Sequence, residues 1–448
     1  PEKRNFFLEN SDIFDGFGIP PTRPFFSRQI GLDASAGGQP VPIPIIFGAR
    51  LTGNVSEKLR IGLLSMQTGD KEDIPAQNIS VAAFQQRIWK RSSITGIFVN
   101  QQEFDGFSAV EQGYARNGGL EFNYLSEDGI WAAWGQFHAA FKPQQTEDNL
   151  YYSAGVQRTG RHLEAVVAYS ATERNHEVEV GFNPRLYNYD AARDTTIRLG
   201  YNILYNSFSY NFFPKRSSGI NQHGISLESV WYLNGDYTFN EWQLPIDYSF
   251  SFSNQSFLSV GMNINQVLLP FPTDLIGGDK PLPARFYAYT NAGIEYQSDQ
   301  RKKFSYSASV QLGEFYNGNI QAYEIGANYR VQPWGNFALT LNQNSIKLAE
   351  GYGETNLFLI SPRVDINFSR NLFWTTFLQI NTQLDNFNIN SRLQWRFSPM
   401  SDLFVVYTDD YLVQDAQWRL PGGDLNAFRI GGVKNRALVI KLNYWLTL

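Results

Sequence analysis

The chain has 448 residues, a formal net charge of -5 and no cysteine. That acidic balance excludes a nucleic-acid partner, which calls for a basic surface. A mean hydropathy of -0.33 excludes a helical membrane bundle, as does the lack of any uninterrupted apolar run near the roughly 18 residues a spanning helix needs. The most apolar stretch, Val41–Ala49, is broken by Pro42 and Pro44. Aromatic residues nevertheless make up 15% of the chain and charged residues only 18%, against roughly 25% charged in globular domains. Membrane-like aromaticity combined with water-like mean hydropathy fits a barrel in which alternate residues face water. The zero cysteine count is compatible with export to an oxidising compartment.

In chain order, the first element is a lead-in, Pro1 to about Pro24, rich in Pro and Gly. It shows no signal peptide, so an exported chain of this kind reads as a mature or truncated form with sequence missing upstream. Candidate strands then start at Phe25–Ile30 and Ile45–Thr52. They run through Leu59–Gln67, Asn78–Trp89, Ile94–Asn100, Gly113–Leu125 and Ile130–Phe141 to a last strand at Ala437–Leu448. Thr196–Asn206 sets Ile197, Leu199, Tyr201, Ile203 and Tyr205 against Arg198, Gly200, Asn202, Leu204 and Asn206. Phe387–Phe397 alternates Phe387, Ile389, Ser391, Leu393, Trp395 and Phe397 with Asn388, Asn390, Arg392, Gln394 and Arg396. Period two is the signature of a strand with unlike faces. The stretch Glu177–Asp194 reads as a loop.

Alternation alone fits either a sandwich or a barrel. Segments of about 10 to 14 residues favour tilted spanning strands over the five or six residues usual in globular sheets. Aromatic residues cluster near strand ends, as Trp131 and Phe141 do, which matches interfacial girdles. Tight connections such as 90–93 and 126–129 alternate with longer ones at 68–77, 104–112, 267–284, 347–355 and 414–436. Short turns on one rim and long loops on the other is the outer-membrane arrangement. The expectation is an all-β transmembrane antiparallel β-barrel of about 22 strands (range 20–24), an even number that returns both chain ends to the periplasm. Two parts are expected: residues 1–24 as a lead-in, lumenal or linking to an upstream domain, and residues 25–448 as the barrel.

The segments Pro1-Glu2-Lys3-Arg4-Asn5-Phe6-Phe7-Leu8-Glu9, Phe25-Phe26-Ser27-Arg28-Gln29-Ile30-Gly31 and Gly48-Ala49-Arg50-Leu51-Thr52-Gly53 follow one another near the start, and Val180-Gly181-Phe182-Asn183-Pro184-Arg185 lies further on. This succession resembles an outer-membrane family of unassigned function in Gram-negative bacteria. Its members carry an N-terminal module like family-9 carbohydrate-binding domains ahead of a long β-rich domain. The resemblance covers the opening of that second domain; the module itself is not in this sequence. It implies glycan handling and no catalytic residue.

The four histidines, His138, His162, His176 and His223, lack metal-ligand spacing. No nucleophile elbow, phosphate loop or zinc-binding helix occurs. No cofactor or metal site is assigned. Acidic stretches at Asp70-Lys71-Glu72-Asp73 and Asp409-Asp410 are the weak candidates for calcium. The predicted lumen-lining set is Glu121, His138, Arg198, Glu324, Arg330, Arg392, Arg396 and Lys441, a mixed-charge lining with His138 solvated. Phe271-Pro272 and Gly277-Gly278 mark a long loop that folds inward or covers the rim. No catalytic residue is assigned and the chain reads as a non-enzyme; a rim-located hydrolase is the residual alternative. The reading is an outer-membrane barrel for passage of a solute, glycan-related or not, or of a polypeptide. The alternative is a sealed barrel anchoring a multi-protein complex. Its partners are the lipid bilayer, lipopolysaccharide and outer-membrane or periplasmic proteins.

Overall fold

A computed structural model of the protein describes all residues except 1–4, 20–21, 34–40, 72–73, 216–218, 279, 383–385, 415–428 and 446–448. Nearly every alternating segment forms a strand, and 21 of these strands close into one barrel. They are β1 (Ile45–Asn54), β2 (Leu59–Thr68), β3 (Ala76–Ile88), β4 (Ser92–Asp105), β5 (Ser108–Leu125), β6 (Trp131–Phe141) and β7 (Leu150–Thr159). Then come β8 (Leu163–Thr172), β9 (Tyr201–Phe212), β10 (Ile220–Asn234), β11 (Phe239–Phe252), β12 (Phe257–Leu268), β13 (Phe286–Gln297) and β14 (Phe304–Phe315). The wall ends with β15 (Gly318–Val331), β16 (Gly335–Lys347), β17 (Glu354–Asn367), β18 (Leu372–Asn381), β19 (Asn386–Ser398), β20 (Ser401–Gln414) and β21 (Arg429–Asn443).

Every chain-consecutive pair from β1·β2 to β20·β21 is antiparallel, and β21 lies beside β1 to complete the ring. An odd number of alternating strands leaves β1 and β21 pointing the same way. The seam between them is therefore parallel. Register sorts the two faces. Leu51 opposes Leu63, Leu63 opposes Ala82 and Ala82 opposes Phe98 on the outside. Leu64 opposes Val81, Val81 opposes Val99 and Val99 opposes Asn117 on the inside. Outward Leu51, Leu63, Phe98, Leu120, Phe137, Ile294 and Ile325 are all exposed, as hydrocarbon contact requires. Aromatic rings gather at both ends of this outer face. Trp89 meets Phe122 and Tyr124 edge-on at one rim, and Trp231 stacks on Trp242 at the other.

Connections at the first rim reach at most seven residues, at 213–219, whereas the second rim carries 173–200 and 269–285. By the outer-membrane convention the short-turn rim is periplasmic.

The lead-in passes from one rim to the other. Two single-turn helices, α1 (Asn5–Leu8) and α2 (Asp12–Asp15), start it near the short-turn rim. There Asn10 donates to Thr52 Oγ1 and Arg60 pairs with Asp12. Further along, Arg23 bridges to Phe182 in the long connection after β8. Leu32–Asp33 then pairs with Val41–Pro42 before β1 begins at the long-loop rim. Phe7, Ile13, Phe14, Phe17, Phe25 and Ile30 form one buried cluster with Leu64, Met66, Ile79, Val81, Ala83, Ile97 and Val99. Those seven wall residues belong to the inner faces of β2–β4, which are apolar because they meet protein and not water. Each large apolar side chain removed from water contributes about 2 kcal/mol.

Several expectations need correcting. Phe25–Ile30 is no strand: it holds the 3-10 turn Ser27–Gln29 and packs in the cluster just described, so the wall begins at Ile45. That accounts for 21 strands against the expected even number. The long connection expected at 104–112 is a two-residue turn, Gly106-Phe107, between β4 and β5. Thr196–Asn206 divides: Thr195–Arg198 pairs with Tyr187–Asp190 in a separate small hairpin, and β9 begins at Tyr201. The faces of β9 are the reverse of those expected. Tyr201 is buried inside, whereas Leu204, Phe208 and Phe212 are exposed outside. Both sides of that segment carry rings, and its inward rings meet protein, so polarity misleads there.

Phe14→Ala removes a ring whose burial in a core is worth about 3–5 kcal/mol. The variant barrel is expected to keep its heat-modifiable gel mobility while its lead-in becomes cleavable by trypsin at Arg28. Unchanged protection of the lead-in would contradict the packing described.

Candidate functional site in the lumen

One half of the lumen is filled by the lead-in, and Glu121 on β5 is the polar centre of the contact. Its carboxylate accepts from the Gly18 backbone N–H at 2.7 Å and from His138 Nε2 at 2.9 Å. Both side chains are almost completely buried. The carboxylate replaces water for an amide that the lead-in could not otherwise satisfy, and an unpaired buried group of this kind costs about 1–3 kcal/mol. His138 lies over Gly119, its cross-strand neighbour, whose hydrogen leaves room for the ring where a Cβ would collide with Nδ1. Tyr151 continues the row, 5.8 Å from the rings of both His138 and His176.

The segment after β8 clips the lead-in from above. Arg23 and Phe182 exchange two backbone hydrogen bonds, and Phe26 N–H donates to Val180 O. Tyr201 OH donates to Asn183 Oδ1 at 2.8 Å and lies 3.2 Å from Thr22 Oγ1. Arg185 pairs with Glu241 on β11 and stacks over the Tyr232 ring. The run Val180–Arg185 thus ties lead-in, inner wall and loop together. Beside it, Lys142 and Arg198 both pair with Glu177. Burial alone would raise the Glu177 carboxyl, but Lys142, Tyr187 and Arg198 hold it below the usual carboxylate range.

Loop 269–285 folds inward. Leu269, Leu275, Ile276 and Leu282 pack on Tyr287, Tyr289, Phe315 and Ile346, all on the inner faces of their strands. Ala191 N–H donates to Pro272 O, so the two longest described connections meet across the lumen mouth.

The other half of the wall keeps a polar cleft of about 610 Å³. Asp247, Asn263, Glu295, Gln311, Glu324 and Asn342 line it, and no Lys or Arg is among its lining residues. Asn291 Oδ1 accepts from Asn263 Nδ2 at 3.0 Å and from Gln311 Nε2 at 2.7 Å, giving a ladder of amides along the wall.

The residues proposed from sequence are dispersed. Glu121 and His138 are brought together, but against the lead-in; His138 is fully buried, not solvated. Glu324 opens into the cleft. Arg330, on the inner face near the short-turn rim, bonds Gln300 O. Arg392 and Arg396 project inward from β19, Arg396 reaching Asp402 at 3.3 Å. Lys441 is on the inner face of β21. Arg198 is not part of the wall; it sits in the small hairpin, paired with Glu177. Asp247, Glu295 and the Asn291 ladder were missed, although strict alternation in β11–β13 marks them once register is known.

Of the two acidic stretches, Glu72 and Asp73 lie outside the described residues. Asp409 faces outward, where it accepts from Tyr411 OH at 2.6 Å and pairs with Arg436 at 2.8 Å. A cation is thus already supplied by the protein. Among the described residues no group of three or more His, Asp or Glu is arranged to hold a metal ion.

No protein-family model matches the chain, and no curated protein matches it. Two solved structures are similar over most of its length. The ferric-catecholate import receptor Fiu of E. coli K12, in its open form, is 9% identical with a TM-score of 0.36, over 82% of this chain and 69% of that one. The copper transporter OprC is 11% identical with a TM-score of 0.49, over 88% of this chain and 78% of that one.

His176 tests the clip by titration. Burial, with His138 close by, lowers its pKa to about 4 from an ordinary 6.5, and its Nδ1 is 2.9 Å from Asn149 O. The unfolded loop binds a proton that the folded loop refuses, so this contribution is complete above 6.5 and is lost as pH falls toward 4. Amide exchange in 173–200, corrected for intrinsic rate, is expected to quicken between pH 7 and pH 5, and His176→Gln to remove that dependence. Identical protection at both pH values would contradict the assignment.

Proposed function

We propose that this chain is an outer-membrane passage protein whose unfilled half-lumen conducts a neutral or cationic, hydroxyl-rich solute such as an oligosaccharide. The observation that carries the reading is the cleft along β11–β17, with three carboxylates (Asp247, Glu295, Glu324), an amide ladder and no basic lining residue. Amides and carboxylates offer sugar hydroxyls both donors and acceptors. A field of one sign in a low-dielectric wall attracts cations and excludes anions. The opening segment's resemblance to a family with a carbohydrate-binding module points the same way.

A sealed barrel serving as anchor is the second reading, favoured by the buried core around the lead-in and by the two loops that meet across the mouth. On that reading the partner is a periplasmic or outer-membrane protein reached from the short-turn rim, where the lead-in enters.

Planar-bilayer recording separates the two. A cation-selective conductance is expected. Asp247→Asn, Glu295→Gln and Glu324→Gln together are expected to lower the cation-to-anion permeability ratio several-fold, with oligosaccharide entry measured by liposome swelling. A folded barrel that stays silent, with no swelling, would overturn the passage reading in favour of the anchor.

A further inference from the structure

The wall has one join unlike the rest. At every other position a strand pairs antiparallel with its chain neighbour, whereas β1 and β21 meet in the same direction. Parallel pairing is slightly weaker per residue. The packing shows the same line of weakness. Among the large apolar residues within described wall strands, those more than 60% exposed are Ile46, Phe47 and Leu51 on β1 and Leu438, Ile440 and Leu442 on β21. Comparable outward residues elsewhere are better covered by their neighbours, with Leu120 at 58%, Ile325 at 55% and Phe137 at 52%. On the inner face the seam presents Gly48, Arg50 and Thr52 on β1 and Ala437, Val439 and Lys441 on β21, with Gly48, Ala437 and Val439 small or apolar where the cleft wall offers amides. An opening here would have apolar lips on its bilayer side, with Gly48, Ala437 and Val439 between those lips and the lumen.

What holds β1 in place from inside is the lead-in. Arg50 bonds to Phe6 O, donates to Glu9 O at 2.5 Å, pairs with the Glu9 carboxylate at 2.9 Å and covers the Phe6 ring. Its side chain is only 10% exposed while that of Glu9 is 76% exposed. Asn10 holds Thr52, two residues along the same inner face. A pull on the lead-in from the short-turn rim is therefore a pull on β1.

We propose that the β1–β21 seam is a lateral gate between lumen and bilayer, latched by Arg50 to the lead-in, and that it passes molecules carrying an acyl chain. The lead-in, drawn toward the periplasm, releases β1 from within; the lips Phe47, Leu51, Leu438, Ile440 and Leu442 then part. The tail slides between apolar lips while the polar head stays in the lumen. This goes beyond the solute reading and does not need it, since a barrel that conducts nothing can still open at its seam.

The absence of native cysteine makes cross-linking clean. In the full chain, Leu51→Cys is combined in turn with Leu438→Cys, Ile440→Cys and Leu442→Cys, and treated in membranes with a short bis-maleimide linker. The reference pair is Ile325→Cys with Leu341→Cys, directly opposed in β15 and β16. With the latch intact one seam pair is expected to cross-link. Arg50→Ala is expected to lower that yield at least five-fold and leave the reference pair unchanged. If Arg50→Ala loses heat-modifiable mobility, Glu9→Ala, which removes only the lead-in's half of the ion pair, decides the matter. A seam pair that cross-links as fully as the reference with and without the latch overturns the gate. A phospholipid with a photoreactive group in its acyl chain is expected to label the inward-facing Val439 itself, located by fragmentation of the labelled peptide, more strongly in the latch variant; equal labelling at Val439 overturns the acyl-chain assignment.

Discussion

The structure depends on one constraint: a spanning strand has two faces, and each face must be matched to its own surroundings. Outside, hydrocarbon demands apolar side chains and full backbone pairing, which a closed ring supplies. Inside, water accepts polar side chains over β11–β17. On β2–β4 the inner face is as apolar as the outer one, with Leu64, Met66, Ile79, Val81, Ile97 and Val99 all buried. Such a face would be unfavourable in a water-filled lumen, and the lead-in is what covers it. The buried Glu121–His138 pair and the Val180–Arg185 clip then satisfy the polar groups that the covering segment brings with it.

The same segment resolves the parity of the fold. Twenty-one strands alone would leave the chain entering the wall at one rim and leaving it at the other. The lead-in crosses inside the lumen, so its described start and the end of β21 share the short-turn rim. An internal crossing does topologically what a twenty-second strand would do, and the wall is left with a parallel seam. The half-filled lumen and the weak join are thus linked consequences of where the described lead-in lies.

Much of this was legible in the sequence. Alternation in Phe387–Phe397 gave strand type and faces correctly, because one side is apolar and the other is amide- or charge-bearing; of the last strand, expected at Ala437–Leu448, residues 446–448 lie outside the described residues. Strand number came within one. Reading failed where polarity stopped reporting on location. Phe25–Ile30 looks like a strand because its rings are spaced to be buried, yet they are buried in the lumen. Tyr201, Ile203 and Tyr205 look lipid-facing and face inward, Tyr201 against Thr22 of the lead-in. His138 reads as lumenal, but nothing in the chain shows that Gly18, more than a hundred residues earlier, shares its carboxylate partner. Arg198 alternates with apolar neighbours in a hairpin too short to join the wall. The cleft acids were invisible for a different reason: Asp247, Glu295 and Glu324 lie on separate strands, and only register brings them together.

The fold depends on the lead-in lying against the inner wall. A Cβ built on Gly62 of β2 comes within 2.9 Å of Ile13 Cγ2, so a chain carrying Ile13→Cys and Gly62→Cys is placed to form a disulfide. The most direct measurement is mild oxidation of that variant in native membranes, scored by mass spectrometry of the linked peptides. The structure predicts near-complete linkage in barrels that retain heat-modifiable mobility. Free thiols at both positions, with the Ile325–Leu341 cysteine pair of the wall linking normally, would show that the lumen is not filled in this way.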